Sequence, residues 1–261
     1  MKTVAGDASP IVGVVSLSEA VGKVTARAGK SLPAGDKLAE FVRWSQDHPA
    51  NEWVFRGQRN KEWRLQPSVG RDGSYSLDWE RLLLEQFRRL AEPYVNSAGM
   101  TDWDWLALAQ HHGLPTRLLD WTSNSLVACF FACQTAHSQA CEMDGQVIAI
   151  ETRSVGFYES NDQQDIDPLE IETAKMIRPR ALAGRIVNQR GLFSIHAHPD
   201  RSWGVQTKEI DLAHFDIPKE LKKLLLRGLH NLGIDDAHVM PDLDGLARTL
   251  KWQYETGTLP G

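Results

Sequence analysis

Apolar positions recur at helical spacing over several stretches of this chain and alternate in others, and the two periods predict its elements. In "AGDKLAEFVRWSQDH", Leu38, Phe41, Val42 and Trp44 form one side of a helix. In "LDWERLLLEQFRRLAEPYV" (77–95), Leu83, Phe87, Leu90 and Tyr94 keep the same spacing, and Pro93 marks the end region. "DWDWLALAQHHG" (102–113) predicts a helix opened by acidic residues, which suit a positive helix N-terminus, and stopped by Gly113. Asn124 or Ser125 caps an apolar helix from 126, and Pro218 takes the first position of "PKELKKLLLRGLHNLG". "MPDLDGLARTLKW" gives a last short helix. Strands are expected at "EWVFRGQ", "PTRLLDWTS", "GQVIAIET" and "TKEIDLAHFDI", with two extended pieces in 184–198 broken at Gly191.

Residues 11–28 predict a short strand and a helix. "YESNDQQDIDPLE" (158–170) reads as a surface loop with the character of a mobile lid. Helices and strands follow one another without regular alternation, which favours an α+β domain over a doubly wound sheet. The expected organisation is a flexible arm over 1–10, a single domain over 11–252 and a tail over 253–261.

Composition changes this picture little. The 261 residues are 42% hydrophobic and 24% charged, with a formal net charge of −5, so bulk charge does not point to nucleic acid. "LVACFFA" is too short to cross a bilayer, and the first residues lack a secretory pattern. A cytoplasmic protein without a membrane partner is expected. Cys129, Cys133 and His137 fall at i, i+4 and i+8, but structural zinc normally draws four ligands from two separated pairs. The cysteines read as small buried hydrophobes, and no metal is expected.

Four segments carry more polar and turn residues than a core requires. In "FRGQ", Arg56 ends an apolar run, and its planar fork suits a phosphate or carboxylate unless an acid such as Asp120 satisfies it internally. "AQHHGLPTRLLDWTSNS" (109–125) gathers His111, His112, Arg117, Asp120 and a hydroxyl-rich turn. Adjacent histidines cannot share one helix face, so at most one serves a site as a proton shuttle. Arg117 and Asp120 are close enough to pair with each other or to clamp neighbouring strands. In "RIVNQRG", Gln189 precedes a glycine that permits close backbone approach. In "MPDLDGLA", Asp242 and Asp244 read as helix-capping residues rather than metal carboxylates.

Together "FRGQ", "WRLQPSVGR", "LAQHHGLPTRLLDWTSNSLVACFFA", "RIVNQRGLFSIH" and "PDLDGLA" resemble the FRG domain family, over most of 50–248. A more distant resemblance is to ADP-ribosyltransferases of the arginine–serine–glutamate class. "VFRG" is similar to their first motif, and "DWTSNSLVACFFA" to the hydroxyl-rich strand that opens a helix. That resemblance implies split antiparallel sheets flanked by helices. It implies NAD as substrate, with Arg56 on a phosphate and Gly57 and Gln58 beside it. Thr122, Ser123 and Ser125 would organise the strand under the nicotinamide ribose, and Trp121 would wall the ring. Where those enzymes carry a catalytic Glu, this chain has Gly191, two residues after Gln189. Glu209, from another strand, or His111 or His112 with Asp120 are the remaining candidates for its role.

The leading expectation is therefore an NAD-dependent mono-ADP-ribosyltransferase or NAD-cleaving toxin or defence effector. It would have a protein or nucleic-acid acceptor and an antitoxin or defence-system partner. The alternatives are a non-catalytic sensor of a nucleotide or nucleic-acid phosphate, and a metal-independent nuclease using a histidine with Arg56 and Asp120.

Overall fold

The computed structural model describes residues 33–134, 142–159, 162–178, 191–203 and 210–259. The strand and helix expected over 11–28, together with His137, Gln189 and Glu209, lie outside them.

Six strands form one antiparallel sheet in the order β4-β5-β2-β1-β3-β6. They are β1 (Trp53–Gln58), β2 (Leu118–Thr122), β3 (Gly145–Glu151), β4 (Lys175–Ile177), β5 (Gly191–Ile195) and β6 (Leu212–Ile217). β1 pairs with β3 along its full length, from Trp53↔Glu151 to Gln58↔Gln146. β2 pairs with β5 from Leu118↔Ile195 to Thr122↔Gly191. β1 and β2, by contrast, share the single pair Phe55↔Thr122. The sheet is thus two three-stranded halves, joined at one rung and parted beyond it.

Period-2 alternation sorts the strand residues onto two faces. Phe55, Val147, Ala149, Phe215 and Ile217 face α1 (Pro33–Gln46), α4 (Ser125–Cys133) and α7 (Lys222–Asn231) in one apolar cluster. On the same face of the other half, Leu118, Phe193, Ile195 and Ile177 meet Leu84 of α2 (Leu77–Ala91) and Trp103 to Ala109 of α3 (Asp102–His111). The opposite face buries Val54, Trp121, Ile148, Ile150, Met176 and Leu192 under Leu65, Phe157, Trp203 and Ile210.

Local chemistry sets the helix starts. Thr101 and Asp104 form a reciprocal capping box, with backbone-to-side-chain distances of 2.9 and 3.2 Å. Asn124, not Ser125, caps α4 by accepting from the Leu126 amide. Short helices α5 (Thr152–Val155), α6 (Asp162–Asp165) and α8 (Asp236–Val239) were not anticipated, nor was β4. α9 (Leu243–Thr256) begins at Asp242, whose side chain accepts from the Gly245 amide at 2.7 Å. It runs well into the expected tail and ends on Gly257 in the left-handed region. No helix among the described residues is long and apolar enough to cross a membrane.

Two local expectations are corrected. Arg117 does not pair with Asp120. It is buried against Glu80 of α2 in a two-point contact, Nε–Oε1 3.0 Å and Nη2–Oε2 2.6 Å, completed by the Tyr75 hydroxyl and the Leu169 carbonyl. The end of the 158–170 stretch is pinned rather than lid-like. Arg81 holds Asp167 and Glu170, Arg117 holds Leu169, and the Trp103 indole donates to the Ile166 carbonyl.

Candidate functional site

The parting of β1 from β2 opens a cleft of about 660 Å³, within the range of small-molecule sites. One wall is the end of β1 and the segment after it, including Arg56, Arg59, Trp63, Arg64, Gln66 and Arg71. The other comprises β2, the start of β5, and the ends of α3 and α4, with His111, Asp120, Gly191 and Gln134. Four arginines face only two carboxylates, Glu62 and Asp120, so the cleft is locally basic on a chain whose net charge is −5.

Arg56 occupies the split. Where a ladder bond to β2 would continue the sheet, its Nη1 donates to the Asp120 carbonyl at 2.7 Å. Its side chain is only 15% exposed, and the nearest carboxylate, on Asp120, is 3.8 Å away. Nε is buried with no hydrogen-bond partner. Burial, offset by Asp120 and reinforced by the Arg71 charge, pulls the guanidinium below its ordinary basicity. A buried donor left unmade costs about 1–3 kcal/mol, and more on a charged group, so this geometry favours an incoming acceptor.

Asp120 lies at the cleft edge with a largely exposed carboxylate, which takes a 2.9 Å bond from Gln110 Nε2. Gln110 is fixed in turn by Thr116 at 2.6 Å. His111 lines the cleft at the end of α3 with its ring edge-on to His112, which does not line it. This resolves which histidine reaches the cavity.

The segment carrying the other cations is tied down. Lys222, fully buried, donates to the Arg59 carbonyl, and Gln146 bridges Gln58 and the Lys61 carbonyl. The Trp203 amide bonds the Leu65 carbonyl at 2.7 Å. Gln66 bonds the Gly70 carbonyl, and Arg71 Nε returns to the Gln66 carbonyl at 2.9 Å. A Cβ on Gly70 would lie 1.9 Å from the Pro199 carbonyl oxygen, so only glycine lets these segments meet.

Gly57, Gln58, Trp121 and Thr122 line the cleft, and each also has structural work. Gly57 makes room for α4, because an added Cβ would lie 1.9 Å from the Ala128 carbonyl oxygen. Gln58 is buried, with its side-chain oxygen taken by Gln146. The Trp121 ring belongs to the core, and its indole N–H bonds Ser194 Oγ, which also contacts His196. The Thr122 hydroxyl accepts from the Asn124 amide in the turn before α4. Ser123 and Ser125 are not among the cleft-lining residues. Gly191, at the position expected to hold a Glu, pairs with Thr122 and lines the cleft. Arg59, Arg64, Arg71 and Gln110 were missed. "WRLQPSVGR" had signalled that its segment mattered without assigning a role. Among the described residues, no group of three or more His, Cys, Asp or Glu is placed to hold a metal ion.

Residues 51–141 match the model of the FRG domain family. The matched segment carries β1, β2, and the helices α2, α3 and α4 between and after them, and with them Arg56, Arg71, His111 and Asp120. No curated protein and no solved structure matches the chain.

Proposed function

We propose that the cleft is an NAD site and that the protein consumes NAD, as a mono-ADP-ribosyltransferase or NAD-cleaving effector on an ADP-ribosyltransferase-like split sheet. The observation that carries this reading is Arg56. A guanidinium buried between two half-sheets, with a buried Nε lacking a partner and one backbone bond, is built for an anion. The first two motifs of the resemblance support it, since the arginine strand and the hydroxyl-rich strand meet at the rung Phe55↔Thr122.

In this reading an NAD phosphate meets Arg56, and the nicotinamide ribose lies toward Asp120 and His111. Breaking the glycosidic bond develops positive charge on the ribose, which a nearby carboxylate stabilises. Asp120 is the candidate for that task, its carboxylate oriented by Gln110. The acceptor is water, or a nucleophile on a protein or nucleic acid.

A second reading rests on Gly191, which offers the cleft no carboxylate. The same pocket then binds a nucleotide without turnover and acts as a sensor. Proton NMR of NAD incubated with the protein separates the two. Released nicotinamide, abolished by Arg56→Ala and reduced 10²–10³-fold or so by Asp120→Asn, supports the enzyme. Broadened NAD lines without nicotinamide support the sensor. Sharp lines and intact NAD refute the NAD site, and RNA or DNA cleavage under those conditions would point to the nuclease.

A further inference from the structure

We propose that Arg71 is the second arm of the anion site, and that Arg56 and Arg71 together select two linked phosphates over a single one. The inference rests on the reading of the cleft as a nucleotide site and narrows its ligand to the diphosphate class: pyrophosphate, a nucleoside diphosphate or a dinucleotide.

The two arginines reach the same cleft by different routes. Arg56 comes from inside the split. Arg71 comes from the loop that follows β1, at the end of a 3₁₀ turn over Ser68–Gly70. Its bond to the Gln66 carbonyl uses only the Nε side of the fork. Its backbone amide closes the 3₁₀ turn on the Ser68 carbonyl, and among the described residues its side chain makes no other hydrogen bond and no ion pair.

Charge is left over between them. The Arg71 charge lowers the basicity of Arg56, and Asp120 is the acidic group that offsets burial at both. One carboxylate, already shared with Gln110, cannot neutralise two guanidiniums. A single phosphate satisfies one fork, whereas two linked phosphates present oxygens to both. The arrangement is preorganised: Gly70 packs against the Pro199 backbone, Gln66 ties the loop to the Gly70 and Pro199 carbonyls, and the Thr116 amide bonds Ser68. Binding then costs little loop ordering.

The test titrates the full-length protein with inorganic phosphate, inorganic pyrophosphate and NAD by calorimetry, beside Arg71→Ala and Arg71→Lys. Arg71 is exposed, and unfolding midpoints confirm that the variants fold. The wild type is expected to prefer pyrophosphate over phosphate by about tenfold or more, the worth of one charge-assisted contact. Arg71→Ala should erase that preference while leaving phosphate affinity within about threefold, because Arg56 still holds one phosphate. Arg71→Lys should recover part of it. Equal binding of the two anions by the wild type, or equal weakening of both by Arg71→Ala, overturns the clamp.

The arms also separate this inference from the NAD reading. A pyrophosphate preference without NAD binding leaves the clamp standing and removes NAD. NAD binding indifferent to Arg71 does the reverse. Binding of none of the three refutes both.

Discussion

Replacing Gly57 by alanine should destabilise the protein through a backbone clash. The added methyl would lie 1.9 Å from the Ala128 carbonyl oxygen and 2.7 Å from the Ala132 amide nitrogen. Neither atom is the tip of a flexible side chain, so reaching even a tight 3.0 Å requires α4 to retreat by about 1.1 Å. That helix carries Val127, Ala128, Cys129, Ala132 and Cys133, all fully buried against β1, β3 and α7. A radial gap of about 1 Å forfeits up to roughly half of each contact's dispersion energy along such a face. Overpacking typically costs about 1–3 kcal/mol, and a rigid obstruction belongs at or above the upper end. About 3 kcal/mol is a large share of the 5–15 kcal/mol of an ordinary domain. Urea unfolding followed by fluorescence of the nine tryptophans reads it directly. Gly228→Ala is the control. Its methyl meets only the Leu38 Cδ2 tip at 2.8 Å within a helix, so it should be near neutral. A Gly57→Ala protein within about 0.5 kcal/mol of wild type would refute the packing of α4 on this strand.

Glu80→Gln leaves the buried Arg117 without its counter-charge and should cost about 3–5 kcal/mol, whereas Glu80→Leu with Arg117→Met should recover much of the loss in urea unfolding. His196 is held neutral, its pKa lowered to about 3 by burial and by the Arg56 and Arg117 charges. Its folded-state pKa is below the unfolded value, so protonation favours the unfolded chain. Stability should fall by up to about 1.4 kcal/mol per unit as pH drops from about 6.5 toward 3, and His196→Gln should flatten that slope. Tyr75, pushed up to about 12 by burial and then by Glu80, should ionise last in an ultraviolet titration of the four tyrosines. Its stabilising effect is complete below pH 10 and lost as pH rises toward 12.

Most described strands and long helices were legible because their apolar residues repeat at the period of the element and their caps are local. β4 was not, since three residues, Lys175–Ile177, are too few to show a period, and partners from β5 decide their state. Arg56 was legible as an anion residue because an arginine ending an apolar run needs an explanation. Its neighbour Gly57 lines the cleft, but it also leaves space for a helix that arrives about seventy residues later, which no local pattern announces. Trp121 and Thr122 do line the cleft, and what the sequence did not show is that their polar atoms are engaged by Ser194 and the Asn124 amide. Arg71 was overlooked because its role depends on the loop folding back through Gln66, Gly70 and Pro199.

The central claim, that Arg56 waits in the split for an anion, is tested most directly at its own Nε–H. That proton is buried and has no acceptor, so its nitrogen–proton NMR signal, assigned by its loss in Arg56→Lys, reports the arrival of one. On adding NAD the signal should move downfield and saturate with the NAD binding curve. A signal that stays fixed while other cleft resonances reach saturation would contradict the claim.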